Sequence, residues 1–543
     1  MAMKWLARGS GLFALAVFAY LPATWSGSIW DDDSYLLDNA NLNDLAGLGR
    51  IWLQSRSSPQ YYPVVFSSFW LEKQAWGLSL AGFHWVNVLL HAANAMLVWR
   101  CLKTLKLPGA WFAAALFALH PVHVESVAWI TERKNVLSTF FYLISLSAYW
   151  RFSAPDARRE VEPVESKTTA SWLWYVVSSA AFVLALGSKT VTCSLPATIL
   201  LIAWWKRGTV SRRDILALLP YFVVGVLASS RTSWLEKYHV GALGPDWDFC
   251  FAERAIIAGR ALWFYAGKLI APVNLMFIYP RWRIEAGDWR QYLPVLGVLV
   301  IPAILWSWRK TWGRGPLVTF LFFVGTLFPA LGFFNVFPML YSFVADHFQY
   351  LASLGVLVPL AVGVDWFFSR MMPRGNKTAR WAQACVLFIL AILTISRETA
   401  FANKWTLWAD TLAKNPDCWM AQNNLGLLCM QSRKLDEAIP HFDEALRLNP
   451  KCLDARYNRG ATLEEQGRLS EASRDLAQVL SADPKYWKAH FVMGLVLKKQ
   501  GRFDEAAQSF RSSLRLNPSY QTAQAELRGA LARTGTSSSR GPG

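Results

Sequence analysis

Over residues 1–396 the apolar residues do not recur with the period of an amphipathic helix. They come in near-uniform blocks separated by short charged stretches. Such a block has no polar face to turn toward water, so it must be buried in protein or in lipid. Eleven blocks are candidate membrane spans: residues 9–30, 82–99, 107–124, 135–150, 168–188, 190–205, 215–230, 291–308, 315–333, 347–364 and 381–396. Several uncharged runs are short for a hydrocarbon core of ~30 Å, so flanking residues must help to cross it. Residues 9–30 carry no charge. That run is long for a cleaved leader and reads as a retained first helix. Residues 397–543 are charged, helical in period and free of such blocks. The expectation is an all-α chain: a polytopic membrane helix bundle over 1–396, followed by a soluble helical unit.

Loop charge sets the orientation. With Lys4 and Arg8 in the cytoplasm, the cytoplasmic connections become Arg100–Lys106, Arg151–Lys167, Lys206–Arg213, Arg309–Arg314 and Arg370–Arg380. All are rich in Lys and Arg, whereas 334–346 on the opposite side has none. Residues 255–280 are apolar but punctuated by Arg254, Arg260 and Lys268. A further crossing there would put basic loops outside, so the segment is read as an in-plane or re-entrant helix on the outer side. The net charge of +18 is then a topological signal and not a nucleic-acid footprint. None of the seven cysteines forms a CxxC pair.

Pro416, Pro450, Pro484 and Pro518 recur every 34 residues. Between them recur Gly426, Gly460 and Gly494; Ala438, Ala472 and Ala506; and Phe442, Leu476 and Phe510. A period of about 34 with small residues at a helix crossing is the tetratricopeptide signature, an α-solenoid of helix pairs. The predicted repeat domain is 397–533, with three full repeats, a partial repeat at 403–416 and a closing helix at 519–532; residues 534–543 read as a disordered tail. Such arrays bind proteins or peptides in a concave groove. Asn423, Asn424 and Asn458 are candidates to bond a bound backbone, with solvated asparagines as the alternative.

The topology gathers unusual polar residues on the outer side. "WDDDSYLLDN" supplies Asp31, Asp32 and Asp33. "GFHWVNVLLHAANA" places His84, Asn87, His91 and Asn94 on one helical face. "HPVHVESVAWITERKN" adds His120, His123, Glu125, Glu132, Arg133 and Lys134, and Lys189 ends another helix. Interhelical hydrogen bonding is the favoured reading of the His/Asn face. For Lys189 and Arg133, snorkelling to the interface and anion binding both stand. Carboxylates facing cations at a membrane surface suit acid–base chemistry on a lipid-borne phosphate. The four histidines lie in two segments without a metal-ligand spacing, so no metal site is assigned.

These stretches, with "YYPV", "GSKTVTCSLP" and "NLMFIYP" followed by 34-residue repeats, resemble the transmembrane and tetratricopeptide-repeat-containing family of GT-C-type glycosyltransferases, in its bacterial form. The resemblance implies transfer of a mannose-like sugar from a polyprenyl-phosphate donor to a hydroxyl acceptor, such as protein Ser/Thr, on the non-cytoplasmic face. The compartment would be a bacterial inner membrane with periplasmic repeats, or the endoplasmic reticulum with lumenal repeats. The family's paired acidic motif falls on Asp31 and Asp32 as catalytic residues, with Asp33 extra. Lys189, Arg133, Lys134 and His347 become candidates for the donor phosphate. Glu125, Asp33, His84, His91, His120 and His123 would support them. The partners implied are the lipid-linked donor, a membrane and an acceptor protein, with no nucleic acid and no firm cofactor. Bacterial-type members often read Asp-Arg-Tyr where this chain has Asp346-His347-Phe348, which weakens a phosphate role there. The alternative is a non-catalytic membrane anchor whose repeats organise partner proteins.

Overall fold

The computed structural model describes residues 2–153, 164–371 and 377–537. Among these the regular structure is helical throughout, with no strand. The chain divides into two compact units, Met1–Leu407 and Trp408–Gly543.

The first unit contains α1 (Ala2–Ala19), α2 (Leu45–Leu53), α3 (Pro63–Trp76), α4 (Leu80–Thr104), α5 (Ala110–Leu119), α6 (Val124–Ala128), α7 (Arg133–Phe152) and α8 (Val164–Ser188). It continues through α9 (Leu195–Arg207), α10 (Arg212–Leu235), α11 (Phe251–Ile270), α12 (Leu293–Ser307), α13 (Gly315–Leu327), α14 (Leu354–Met371) and α15 (Lys377–Glu398). Local chemistry fixes the ends. Asp44 caps α2 by accepting from Gly47 N at 2.6 Å, and Ser211 and Asp214 form a reciprocal capping box on α10. Gly208, at φ +83°, closes α9 in the left-handed conformation that glycine adopts without steric cost.

Among the described residues, four helices are long and apolar enough to cross a membrane: Arg212–Val240, Trp289–Lys310, Leu354–Met371 and Thr378–Phe401. Ala110–Leu119 with Pro121–Ala128, bent by 50°, makes a fifth if the pair is one span. This corrects the eleven expected from the sequence, for three physical reasons. Pro22 and Pro121 interrupt their runs, so 9–30 is α1 followed by a 3-10 turn at Leu21–Trp25. The helices α9 and α13 have only 13 residues each. The long helices α4 and α7 carry polar and charged side chains among their apolar ones. In α12 no residue is buried, and Leu293, Leu296, Leu299 and Ile304 are exposed. An apolar face of that extent belongs in lipid, and this unit is a membrane domain. Helix α11 buries Ile256, Ile257, Ala261, Leu262 and Tyr265 and leaves Phe251, Trp263 and Ile270 exposed.

After α16 (Lys404–Lys414), the second unit contains α17 (Trp419–Gln431), α18 (Leu435–Leu448), α19 (Leu453–Glu465), α20 (Leu469–Ala482), α21 (Trp487–Lys499), α22 (Phe503–Leu516) and α23 (Gln521–Ser537). Helices α18, α20 and α22 each stop two residues before Pro450, Pro484 or Pro518. Gly426 and Gly494 lie so close to the Phe442 and Phe510 rings that an added Cβ would come within 2.7 and 2.5 Å of ring carbons. The repeating glycine is thus a packing requirement between paired helices. Helix α23 runs to Ser537, into the stretch read as a disordered tail; residues 538–543 lie outside the described residues.

Candidate functional site

The aspartate run sits where the chain has left α1 and its 3-10 turn. Trp30, one residue earlier, has φ +43°, an uncommon conformation for a bulky residue. Its ring packs edge-on against Phe277 and Tyr341. From there the three carboxylates diverge. Asp31 Oδ1 accepts from the Thr131 hydroxyl at 2.7 Å. Asp32 is fully buried and accepts from two backbone N–H groups, Ile29 at 2.9 Å and Thr131 at 3.0 Å. Asp33 pairs with the Lys404 ammonium.

Thr131 belongs to a 3-10 turn, Ile130–Glu132, that leads into α7. That turn projects Glu132, a buried carboxylate that gathers cations. The Lys134 ammonium is 2.8 Å from Glu132 Oε1, Lys189 is 3.5 Å from Oε2, and His347 Nε2 is 3.9 Å from Oε1. Asn135 donates to Glu132 at 2.5 Å and to the His347 carbonyl at 3.0 Å, and accepts from Lys189 at 2.7 Å. The Lys134 ammonium also lies over the rings of Tyr35, Tyr62 and Trp129, where the ring quadrupoles favour a cation. Glu125 holds His347 by accepting from its Nδ1 at 2.7 Å and its backbone N at 3.2 Å. Asp346 accepts from the Tyr279 hydroxyl at 3.0 and 3.1 Å.

Titration follows from this arrangement. Burial raises Asp31, opposed by the Lys134 charge and the Thr131 hydroxyl. Asp32 is raised further, first by burial and then by the neighbouring Asp31 charge. Burial works against the Glu132 carboxylate as well, but His347, Lys134 and Lys189 outweigh it and bring it down to about 2. Burial brings Lys189 down to about 8, against the pull of Glu132. The result is one ionised acid holding two ammonium groups, beside a carboxylate of raised basicity.

The structure brings Asp31, Lys134, Lys189, His347 and Glu125 into this neighbourhood. Arg133 goes elsewhere. Its guanidinium is fully buried, pairs with Glu72, bonds Asn87 and the Phe83 carbonyl, and lies over the Phe69 ring. Three of the histidines tie segments together by hydrogen bonds. His91 pairs with Tyr350 Oη at 2.7 Å and the Ala118 carbonyl at 3.0 Å. His120 bonds the Leu269 carbonyl, and His123 the Phe117 carbonyl and Ser353. His84 is buried on the same face of α4. In the repeats, Asn458 Nδ2 donates to Asn423 Oδ1 at 3.0 Å, and Asn424 bonds the Met420 carbonyl on its own helix.

Sequence reasoning saw Glu132 in its loop but gave it no role, and it missed Thr131, Asn135, Tyr35 and Tyr62. The signal for Glu132 was an acid two residues before Lys134. Glu72 had none, because 61 residues separate it from Arg133.

Tetratricopeptide repeat models match residues 419–452 and 457–521. Among curated proteins, the chain is 34% identical over 160 residues to protein O-mannosyl-transferase Tmtc1 of Drosophila melanogaster, covering 27% of this chain and 18% of that protein. It is 35% identical over 149 residues to mouse protein O-mannosyl-transferase TMTC2, covering 25% and 18%. The chain therefore spans about a fifth of the length of these relatives. Among solved structures, the Arabidopsis OM64 TPR domain is 25% identical over 21% of this chain and 93% of its own, at a TM-score of 0.20. The repeats and the curated relatives together support a likeness to the TMTC family.

Proposed function

We propose that the chain is a membrane glycosyltransferase that moves a mannose-like sugar from a polyprenyl-phosphate donor to a hydroxyl acceptor, a protein Ser or Thr. The supporting observation is the pairing of a half-buried carboxylate of raised basicity, Asp31, with two ammonium groups organised by Glu132. In this reading the acceptor hydroxyl gives its proton to Asp31 as its oxygen attacks the anomeric carbon. The bond from that carbon to the phosphate oxygen breaks, and the phosphate leaves with the electron pair. Lys134 and Lys189 meet its charge. Asp32, whose oxygens are taken by backbone N–H groups, positions the loop, and Arg133 braces α7 against α3 and α4.

The curated relatives named as protein O-mannosyl-transferases support the reaction class, and the tetratricopeptide array supports acceptor-protein binding through Asn423 and Asn458. The site faces the non-cytoplasmic side, which in a bacterial-type member is the periplasm. The domain division is 1–396 for the membrane part and 397–533 for the repeats.

The test is sugar transfer from a polyprenyl-phosphate mannose to a Ser/Thr peptide by the purified chain. Asp31→Asn is expected to lower kcat by roughly 10²-fold or more without a change in melting temperature. Asp32→Asn is expected to lower the melting temperature, because one amide NH₂ then faces a backbone N–H, with transfer recovering where the fold persists. Wild-type rates from Asp31→Asn would refute the base. No transfer by any form would leave the non-catalytic anchor.

A further inference from the structure

Helices α4 and α7 run side by side in the same direction. Asn94, past the middle of α4, donates to the Val136 carbonyl in the first turn of α7, and Cys101 Sγ lies 3.1 Å from Ser147 Oγ near the ends of both helices. From Lys134 to Arg151 along α7 is about 26 Å at 1.5 Å per residue, close to the thickness of a hydrocarbon core. The far ends of these helices form a second feature, remote from the aspartates. An apolar slot of ≈ 90 Å³ lies there, with Leu102, Leu143, Ile202, Phe322 and Val358 among its walls. It shares Cys101, Leu105, Leu146 and Ile202 with an adjoining pocket of ≈ 50 Å³ whose wall includes Arg100 and Arg151.

Both arginines are exposed, and among the described residues neither has a carboxylate partner. Arg151 is held by stacking over Trp174. Their basic neighbours are otherwise engaged: Lys206 bonds the Leu105 carbonyl, and Arg207 pairs with Asp214. An apolar slot opening beside two guanidiniums has the polarity of a lipid with an anionic head, since guanidinium forks match phosphate oxygens and the slot accepts a hydrocarbon chain. A sugar-donor lipid would need its phosphate beside Lys134 and Lys189, a membrane thickness away. The phosphate here belongs to another lipid.

We propose that this pocket binds an anionic glycerophospholipid of the leaflet at that end, with its phosphate between Arg100 and Arg151 and one acyl chain in the apolar slot. Such a lipid replaces an empty apolar void with contacts and ties α4 to α7 at the end opposite the carboxylate cluster.

The test is native mass spectrometry of the full-length chain in detergent, after incubation with phosphatidylglycerol, phosphatidylcholine or a polyprenyl phosphate. Wild type is expected to retain phosphatidylglycerol about tenfold more than phosphatidylcholine. Arg100→Ala/Arg151→Ala loses that preference, and Arg100→Lys/Arg151→Lys keeps most of it. Ile202→Trp, which fills the slot, loses retention with both arginines in place. Lys103→Ala/Lys106→Ala, at the same end of α4, keeps it. Equal retention of phosphatidylcholine overturns the proposal. So does an equal loss in the lysine variant, which would mean diffuse basic charge, or displacement of phosphatidylglycerol by equimolar polyprenyl phosphate.

Discussion

Replacing Glu132 with glutamine removes the carboxylate that Lys134, Lys189 and His347 share, and the consequence can be worked for Lys189. Its ammonium lies 3.5 Å from Glu132 Oε2, in surroundings that already bring it down to about 8. Two unit charges at that distance attract by about 5 kcal/mol at an effective dielectric of ~20. At ~1.4 kcal/mol per unit this bounds the effect at roughly three pH units. Glu125 still favours the charged form and Lys134 still opposes it, so a fall of about one to two units is expected. The sign is definite: loss of the acid favours neutral lysine, so Lys189 sheds its proton at lower pH and is largely uncharged near neutrality. The assay needs no substrate. The chain is pulsed with acetic anhydride across a pH series, and acylation of Lys189 is read by peptide mass spectrometry. Wild type should show a midpoint near 8, and Glu132→Gln one displaced downward. Removing the 2.8 Å carboxylate partner of buried Lys134 costs up to about 3–5 kcal/mol, so size-exclusion behaviour is checked at each pH. A midpoint that does not move in a folded variant refutes the claim that Glu132 holds Lys189 charged.

Asp346 is raised to about 8 by burial and by Glu125, whereas an unfolded aspartate titrates near ~3.9. Between those values the folded state holds a proton that the unfolded state lacks, so stability falls as pH rises through the window. Asp346→Asn should flatten the slope of melting temperature against pH between about 5 and 8, and an unchanged slope contradicts it. In the repeats, Gly426→Ala and Gly494→Ala should each cost about 1–3 kcal/mol by forcing a methyl onto a phenylalanine ring. Gly460→Ala, whose Cβ would meet Leu476 at 3.2 Å, should cost less. Pulse proteolysis of the full chain, scored by cleavage within 408–537, ranks the three; equal losses at 426 and 460 would remove the ring contact as the cause.

The repeat array was legible because its information is periodic. Each glycine, alanine and proline marks a contact made within one 34-residue unit, and the helices end where Pro450, Pro484 and Pro518 require. The membrane unit was legible in class but not in count. Composition registers apolar letters, while Pro22, Pro121 and the polar face of α4 decide which runs become long apolar helices. The site was legible wherever its parts lie near one another in sequence, as with Glu132 and Lys134. It failed where the deciding partner is remote. Arg133 reads as a phosphate ligand until Glu72 is seen beside it, whereas His91, His120 and His123 keep the hydrogen-bonding role favoured from the sequence, their rings bonded to the carbonyls of Ala118, Leu269 and Phe117.

The aspartate run shows how a self-repelling cluster becomes three separate devices. Two adjacent buried carboxylates do not both ionise cheaply. Here burial and the Asp31 charge outweigh two backbone N–H bonds in raising Asp32. Asp31 has the Lys134 charge and the Thr131 hydroxyl to favour its anion, and Asp33 has Lys404 outright. The negative charge of the pair therefore concentrates on Asp31, the half-buried member, while Asp32 fixes the loop to the turn that carries Glu132. Removing the carboxylate at residue 31 while keeping the one at residue 33, as in Asp31→Asn, leaves a half-exposed acid tied to a lysine. It does not restore a base, because Asp31 owes its basicity to burial and its ionised form to the cation that Glu132 holds in place.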